Sequence, residues 1–230
     1  MIDDRQPPGR TSWLERTGDW LSEEALTALL LLLIVEVFVL PIIGGEIGSV
    51  ALNIVFTLLL FTGLATVANR LTAFVVFGAF VVAAVVLKWI APVPGLPGTP
   101  LSAAAASLAA FTLLTLLVLL RTLSPGPITR HRIEGAIAVY LLFAIGFGYA
   151  FEITEWLQPG SIAFAHGEPE AMDRAVSYFS LVTLPTVGYG DVTPVSPLTR
   201  RMAMLEGFVG QLYPAIIIGW MVGSLKRRED

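Results

Sequence analysis

The sequence predicts an all-α membrane protein with six transmembrane helices and one shorter helix and loop folded back between the last two. Three observations lead there. The 230 residues are 55% hydrophobic and 14% charged, where soluble domains carry roughly 25% charged residues. Six apolar runs, at 24–40, 50–68, 71–90, 101–120, 133–151 and 198–225, are punctuated by Pro41, Pro92 and Ser124-Pro125-Gly126-Pro127. Each run is long enough to cross ~30 Å of hydrocarbon as a helix. Helices are required because lipid offers no hydrogen-bond partner to the backbone.

In chain order, residues 1–23 form a cytoplasmic segment. Ser12 and Glu15 have the spacing of a helix start, and Trp13, Leu14, Thr17, Trp20 and Leu21 share one helical face. That face suits a helix lying at headgroup depth, against the plainer reading of a flexible tail. Residues 24–123 make a four-helix unit, 124–132 a cytoplasmic linker, 133–225 a second unit and 226–230 a tail. Within the second unit, 174–184 is too short to span and reads as a re-entrant helix buried in protein. With the N-terminus inside, ten basic residues fall on the cytoplasmic side (Arg5, Arg10, Arg16, Arg70, Arg121, Arg130, Arg132, Lys226, Arg227, Arg228). Four (Lys88, Arg174, Arg200, Arg201) fall outside. That imbalance places both termini in the cytoplasm. The expected location is the plasma (inner) membrane.

Between the re-entrant helix and the last span lies Thr183-Leu184-Pro185-Thr186-Val187-Gly188-Tyr189-Gly190-Asp191. A dehydrating cation needs oxygens to replace its water. A strip of backbone carbonyls supplies them only if the chain adopts positive φ at intervals, which is costly for residues with a Cβ. Gly188 and Gly190 remove that cost. Val187 and Tyr189 then point away from the ion, and the Thr186 hydroxyl adds an oxygen at the inner end. One chain supplies one strip, so a closed cage requires a homotetramer around a central pore.

Residues Thr183, Thr186, Val187, Gly188, Tyr189, Gly190 and Asp191 resemble the signature of the potassium channel superfamily, whose filters carry Thr-Val-Gly-Tyr-Gly. The resemblance covers 174–223. It implies a passive K⁺-selective channel with K⁺ held by Thr186, Val187, Gly188 and Tyr189, and no other cofactor. Its partners are then three further copies, the lipid bilayer and K⁺. Pro185 departs from the pattern. Lacking an N–H and clashing with the carbonyl of Leu181, it is expected to bend the last turn of the re-entrant helix. The supporting shell is Tyr178, Phe179, Val182, Pro185 and Asp191. Tyr178 and Phe179 are expected to pack on Tyr189 of the same or a neighbouring subunit, and Asp191 to make a hydrogen bond at the mouth. Val182 is apolar where some relatives carry a buried carboxylate. Glu152 and Glu155 are candidates to brace the pore helix, or to form a negative vestibule with Glu168, Glu170 and Asp173.

In the last span, Gly210 and Pro214 offer a hinge, with Ile217, Ile218 and Met221 as an apolar gate closing by dewetting. Equally, Gly207, Gly210 and Gly219 serve close helix packing.

Six spans with one pore loop also resemble the voltage-gated branch. However, the fourth run has no basic residue before Arg121 at its inner end, so little intrinsic voltage sensing is expected. Glu36, Asn53 and Lys88 lie at similar depth in the first three spans. A Glu36–Lys88 pair helped by Asn53 is the expected arrangement; a protonated or lipid-facing Glu36, or an ion or ligand site, stays open. Alternative functions are a weakly selective cation channel, if Pro185 loosens the filter, and a K⁺-uptake transporter subunit. The latter usually carries repeats, and none is visible. An enzyme is not expected. There is no cysteine, and His131 and His166 fall in linker and outer loop. The net charge of −4 argues against nucleic acid. Neither a cleavable leader nor an attached ligand-sensing domain after Leu225 is expected.

Overall fold

The computed structural model describes residues 24–43, 45–67, 71–92, 98–124, 129–165, 167 and 171–226. The expected interfacial helix, His166, Glu168, Glu170 and the last four residues lie outside them. Six helices are long and apolar enough to cross a membrane: α1 (Glu24–Ile42), α2 (Gly45–Ala65), α3 (Leu71–Ile90), α4 (Thr99–Thr122), α5 (Arg130–Leu157) and α7 (Pro197–Lys226). Between the last two come β1 (Ile162–Phe164), the short α6 (Met172–Thr183) and β2 (Val192–Pro194).

Helix α1 does not run uniformly to Pro41. It widens into a π-turn over Val35–Val39, which contains Glu36, and tightens into a 3₁₀ turn at Leu40–Ile42. Such wide turns often mark functional positions. Helix α4 is the inner member of the four-helix unit. Its Phe111, Leu114 and Val118 are fully buried and share one core with Leu29, Leu33, Phe56, Leu59, Phe77 and Val81. The same core continues into α5 through Ala138, Val139 and Leu142, so the first four helices are packed onto α5 of the same chain. Phe111 stacks on Tyr149 at 5.7 Å. Arg121, at the inner end of α4, donates to the Thr66 carbonyl at 3.0 Å.

The outer loops are tied down. Strands β1 and β2 pair antiparallel, Ile162 opposite Pro194. Glu155, at the end of α5, accepts hydrogen bonds from the Gly160 N–H (2.6 Å), the Ser161 hydroxyl (2.8 Å) and the Ile162 N–H (3.0 Å). It braces this loop, not α6. Ser196, just before Pro197, accepts from the Thr199 N–H at 3.1 Å and caps α7. From there α7 runs unbroken through Pro214.

Candidate functional site

The segment Thr186–Gly190 is held between the C-terminal end of α6 and the face of α7. Helix α6 is amphipathic, buries Val176, Phe179 and Ser180, and ends at Thr183 with Leu184 as its cap. A helix end leaves carbonyls without intrahelical partners, and here the following loop fills them. The Thr186 N–H donates to the Thr183 carbonyl at 2.9 Å. The N–H groups of Val187 and Gly188 both donate to the Val182 carbonyl, at 2.9 and 3.0 Å. Val182 thus contributes through its backbone. Pro185 lies beyond the end of α6, in the turn, and not inside the helix. Proline cannot continue a helix and is common just past its cap; here it follows the Leu184 cap directly.

Positive φ occurs at Thr186 (61°), Gly188 (52°) and Gly190 (83°), with Val187 and Tyr189 between them outside that region. Alternating the sign of φ turns successive carbonyls toward one side of the strand. The need for glycine at 188 and 190 follows directly. Thr186 shares the conformation despite its Cβ, and it is the one non-glycine residue among those described with positive φ. Its hydroxyl is anchored: Gln211 of α7 donates to it at 3.0 Å.

At the outer end, Tyr178 donates to an Asp191 carboxylate oxygen at 2.8 Å. This bond pushes the Tyr178 hydroxyl above its ordinary titration range. Phe179 does not pack on Tyr189. It is buried against α5, edge-on to Phe151 at 4.8 Å. The reason is helical phase: adjacent positions on α6 point in different directions, so Tyr178 faces the mouth and Phe179 the core.

One strip of α7 forms the floor beneath this loop. A Cβ on Gly210 would lie 1.8 Å from the Leu184 carbonyl oxygen, so glycine lets α7 touch the end of α6. Gly207 lies against Thr186 and the Thr183 carbonyl. Between the elements sits Glu206, with none of its surface exposed. One of its oxygens contacts the Ser180 hydroxyl, which also reaches the Ala144 carbonyl of α5 at 2.6 Å. Its other oxygen has no partner among the described residues. Sequence reasoning missed Glu206 and Gln211. The available signal was a carboxylate and an amide flanking two glycines inside an apolar span.

For the gate, Ile218 is exposed on the single chain, Met221 half-buried, and Ile217 only 6% exposed. Ile217 therefore faces its own chain, unlike Ile218, and does not fit the expected gate. Stepping down α7 from Gln211 by helical repeats gives Ala215, Ile218 and Val222 on one exposed face. Tyr213 points the other way and donates to the Ala136 carbonyl of α5 at 2.9 Å.

The polar residues of the four-helix unit meet around a cavity of about 540 Å³ between that unit and the pore unit, lined by Glu36, Asn53, Lys88, Tyr149, Glu152 and Asp173 among others. Glu36, Asn53 and Lys88 come together at this cavity as expected, but no direct ion pair joins Glu36 to Lys88 among the described residues. Lys88 pairs with Asp173 of α6 at 3.9 Å and sits 5.6 Å from the Tyr149 ring centre. Glu36 Oε2 is buried without a partner among the described residues. The sequence could not show that the first turn of α6 would reach this depth.

Comparison with known proteins bears on this region. Residues 153–226 match the family model described as an ion channel. The match takes in the end of α5, the strand pair, α6, the 186–190 loop and α7. The protein LctB of Bacillus caldotenax is 34% identical over 85 residues, covering 34% of this chain and 61% of that protein. LctB of Geobacillus stearothermophilus is 45% identical over 51 residues, covering 22% of this chain and 37% of that protein. The chain thus spans about three-fifths or less of the curated relatives it matches. No solved structure matches.

Proposed function

With an ion channel domain over 153–226 and six apolar helices as the premise, we propose that the protein is a K⁺-selective channel formed by four copies around a shared axis. The observation that carries this reading is the alternating positive φ at Thr186, Gly188 and Gly190. A strip whose carbonyls face one way is what a dehydrated K⁺ requires in place of water. The N–H groups of 186–188 are already used on the end of α6, which leaves the carbonyls for the ion.

The tetramer rests on exposure. Val187 and Tyr189 of the loop itself are exposed in the single chain, as are Phe208 and Ile218 of α7 beside it. Three more copies would cover that face and close the cage. Gln211, Ala215, Ile218 and Val222 then line the path below the filter, with Ile218 and Val222 as the apolar constriction. The hinge at Gly210 and Pro214 belongs to this proposal, although Gly210 has a packing contact that accounts for it independently.

The weakly selective alternative rests on Pro185, which sits in the turn between α6 and the 186–190 loop; the Na⁺ comparison below separates it from the K⁺-selective reading. A K⁺-uptake subunit gains no support from a chain with a single pore loop. K⁺ efflux from liposomes containing the purified chain tests the proposal, with Na⁺ as comparison and Ba²⁺ as blocker. A Ba²⁺-sensitive K⁺ flux much faster than Na⁺ is expected. Equal fluxes would overturn the selectivity.

A further inference from the structure

Ser180 sits at the junction of three helices. Its hydroxyl oxygen lies 2.6 Å from the Ala144 carbonyl of α5 and is also bonded to a carboxyl oxygen of Glu206 of α7. Each contact joins two oxygens, so each needs a proton between them. A serine hydroxyl has one proton, and a carbonyl has none to give. With Glu206 ionised, that one proton would have to be split between two acceptors in a weaker three-centre bond. A proton on Glu206 gives each contact its own hydrogen.

We infer that Glu206 is a neutral carboxylic acid that donates to Ser180, which in turn donates to Ala144, and that this relay positions the pore helix. Two independent features agree. Glu206 is fully enclosed and makes no ion pair among the described residues, and burying an unpaired carboxylate is far costlier than burying the acid. Its second oxygen lacks a partner, which an acid carbonyl tolerates better than an anion does.

The relay fixes direction as well as distance. It runs α7 to α6 to α5, one turn of α7 before Gly210 meets Leu184. It therefore clamps α6 from the side opposite to the Tyr178–Asp191 bond. Glu206 touches no residue of the 186–190 loop in any of these bonds, so it is a positioning residue. Its influence on ions rests on the proposed filter reading; its proton does not.

The test uses the full chain in liposomes. Infrared difference spectra between wild type and E206Q are expected to show loss of a protonated-carboxyl C=O band at neutral pH. That band should move to higher frequency in S180A, which removes its acceptor. Loss of carboxylate bands instead would overturn the inference, whether or not the protein conducts. In flux assays E206Q, whose amide still donates, should keep the wild-type K⁺ preference over Na⁺, while E206A should reduce it at least tenfold. An E206A protein with wild-type selectivity would overturn the positioning role. If E206A does not assemble, S180A supplies the same comparison, since it breaks the relay with a smaller change in volume. Absence of K⁺ flux in wild type, together with the protonated-acid band, would sink the channel reading and leave the proton assignment standing.

Discussion

Gly210→Ala tests how closely α7 must approach the end of α6. The added Cβ would stand 1.8 Å from the Leu184 carbonyl oxygen and 2.7 Å from its carbon, where ordinary contact begins at 3.4 Å. Both atoms are backbone, and Leu184 is 1% exposed, so no rotamer change relieves the clash. Overpacking of this kind costs about 1–3 kcal/mol and shifts backbone. Alanine in a helix recovers about 1 kcal/mol of that, so the net loss should be up to about 2 kcal/mol. It should fall on the α6–α7 contact that also carries Thr186. Gly146→Ala, on α5, is the control, because nothing lies within 4 Å of its Cβ. Thermal unfolding of the purified protein should show a lowered midpoint for Gly210→Ala and none for the control. K⁺ efflux should fall in parallel. A Gly210→Ala protein as stable and conductive as wild type would refute the close approach.

Glu155→Gln should destabilise the outer loop by about 2–3 kcal/mol, because a charged acceptor of three hydrogen bonds is replaced; denaturation and protease sensitivity around 160–162 would report it. For Lys88 and Asp173, a double-mutant cycle with Lys88→Met and Asp173→Asn should give a coupling under about 1 kcal/mol, since the 3.9 Å pair is 20% and 45% exposed at its two side chains. A larger value would mean the pair is sheltered by a neighbouring copy. Conductance should vary weakly with voltage, with an equivalent gating charge below about two per channel, because the fourth span has no basic residue before Arg121; steep current–voltage activation would contradict this.

Much of this arrangement was legible in the sequence because hydrophobic length alone specifies a span. The boundaries of α3 agree with the apolar run, and those of α4, α5 and α7 extend it by a few residues. The glycines at 188 and 190 were readable too, since positive φ leaves few alternatives to glycine. Side-chain partners were not legible. Phe179 turns to Phe151 because of helical phase, and Lys88 finds Asp173 because α6 starts two residues earlier than the pattern indicated. Pro185 misled because a helix-breaking residue is informative only once the helix end is known. Glu206 went unread because a lone carboxylate in a span has no periodic partner; what explains it is Ser180, on another helix.

The most direct test of the central claim is the reversal potential of the purified channel in a planar bilayer with K⁺ on one side and Na⁺ on the other. The account predicts that it follows the K⁺ gradient and shifts with K⁺ concentration. A reversal potential near zero, indifferent to which cation is raised, would contradict a carbonyl cage selective for K⁺.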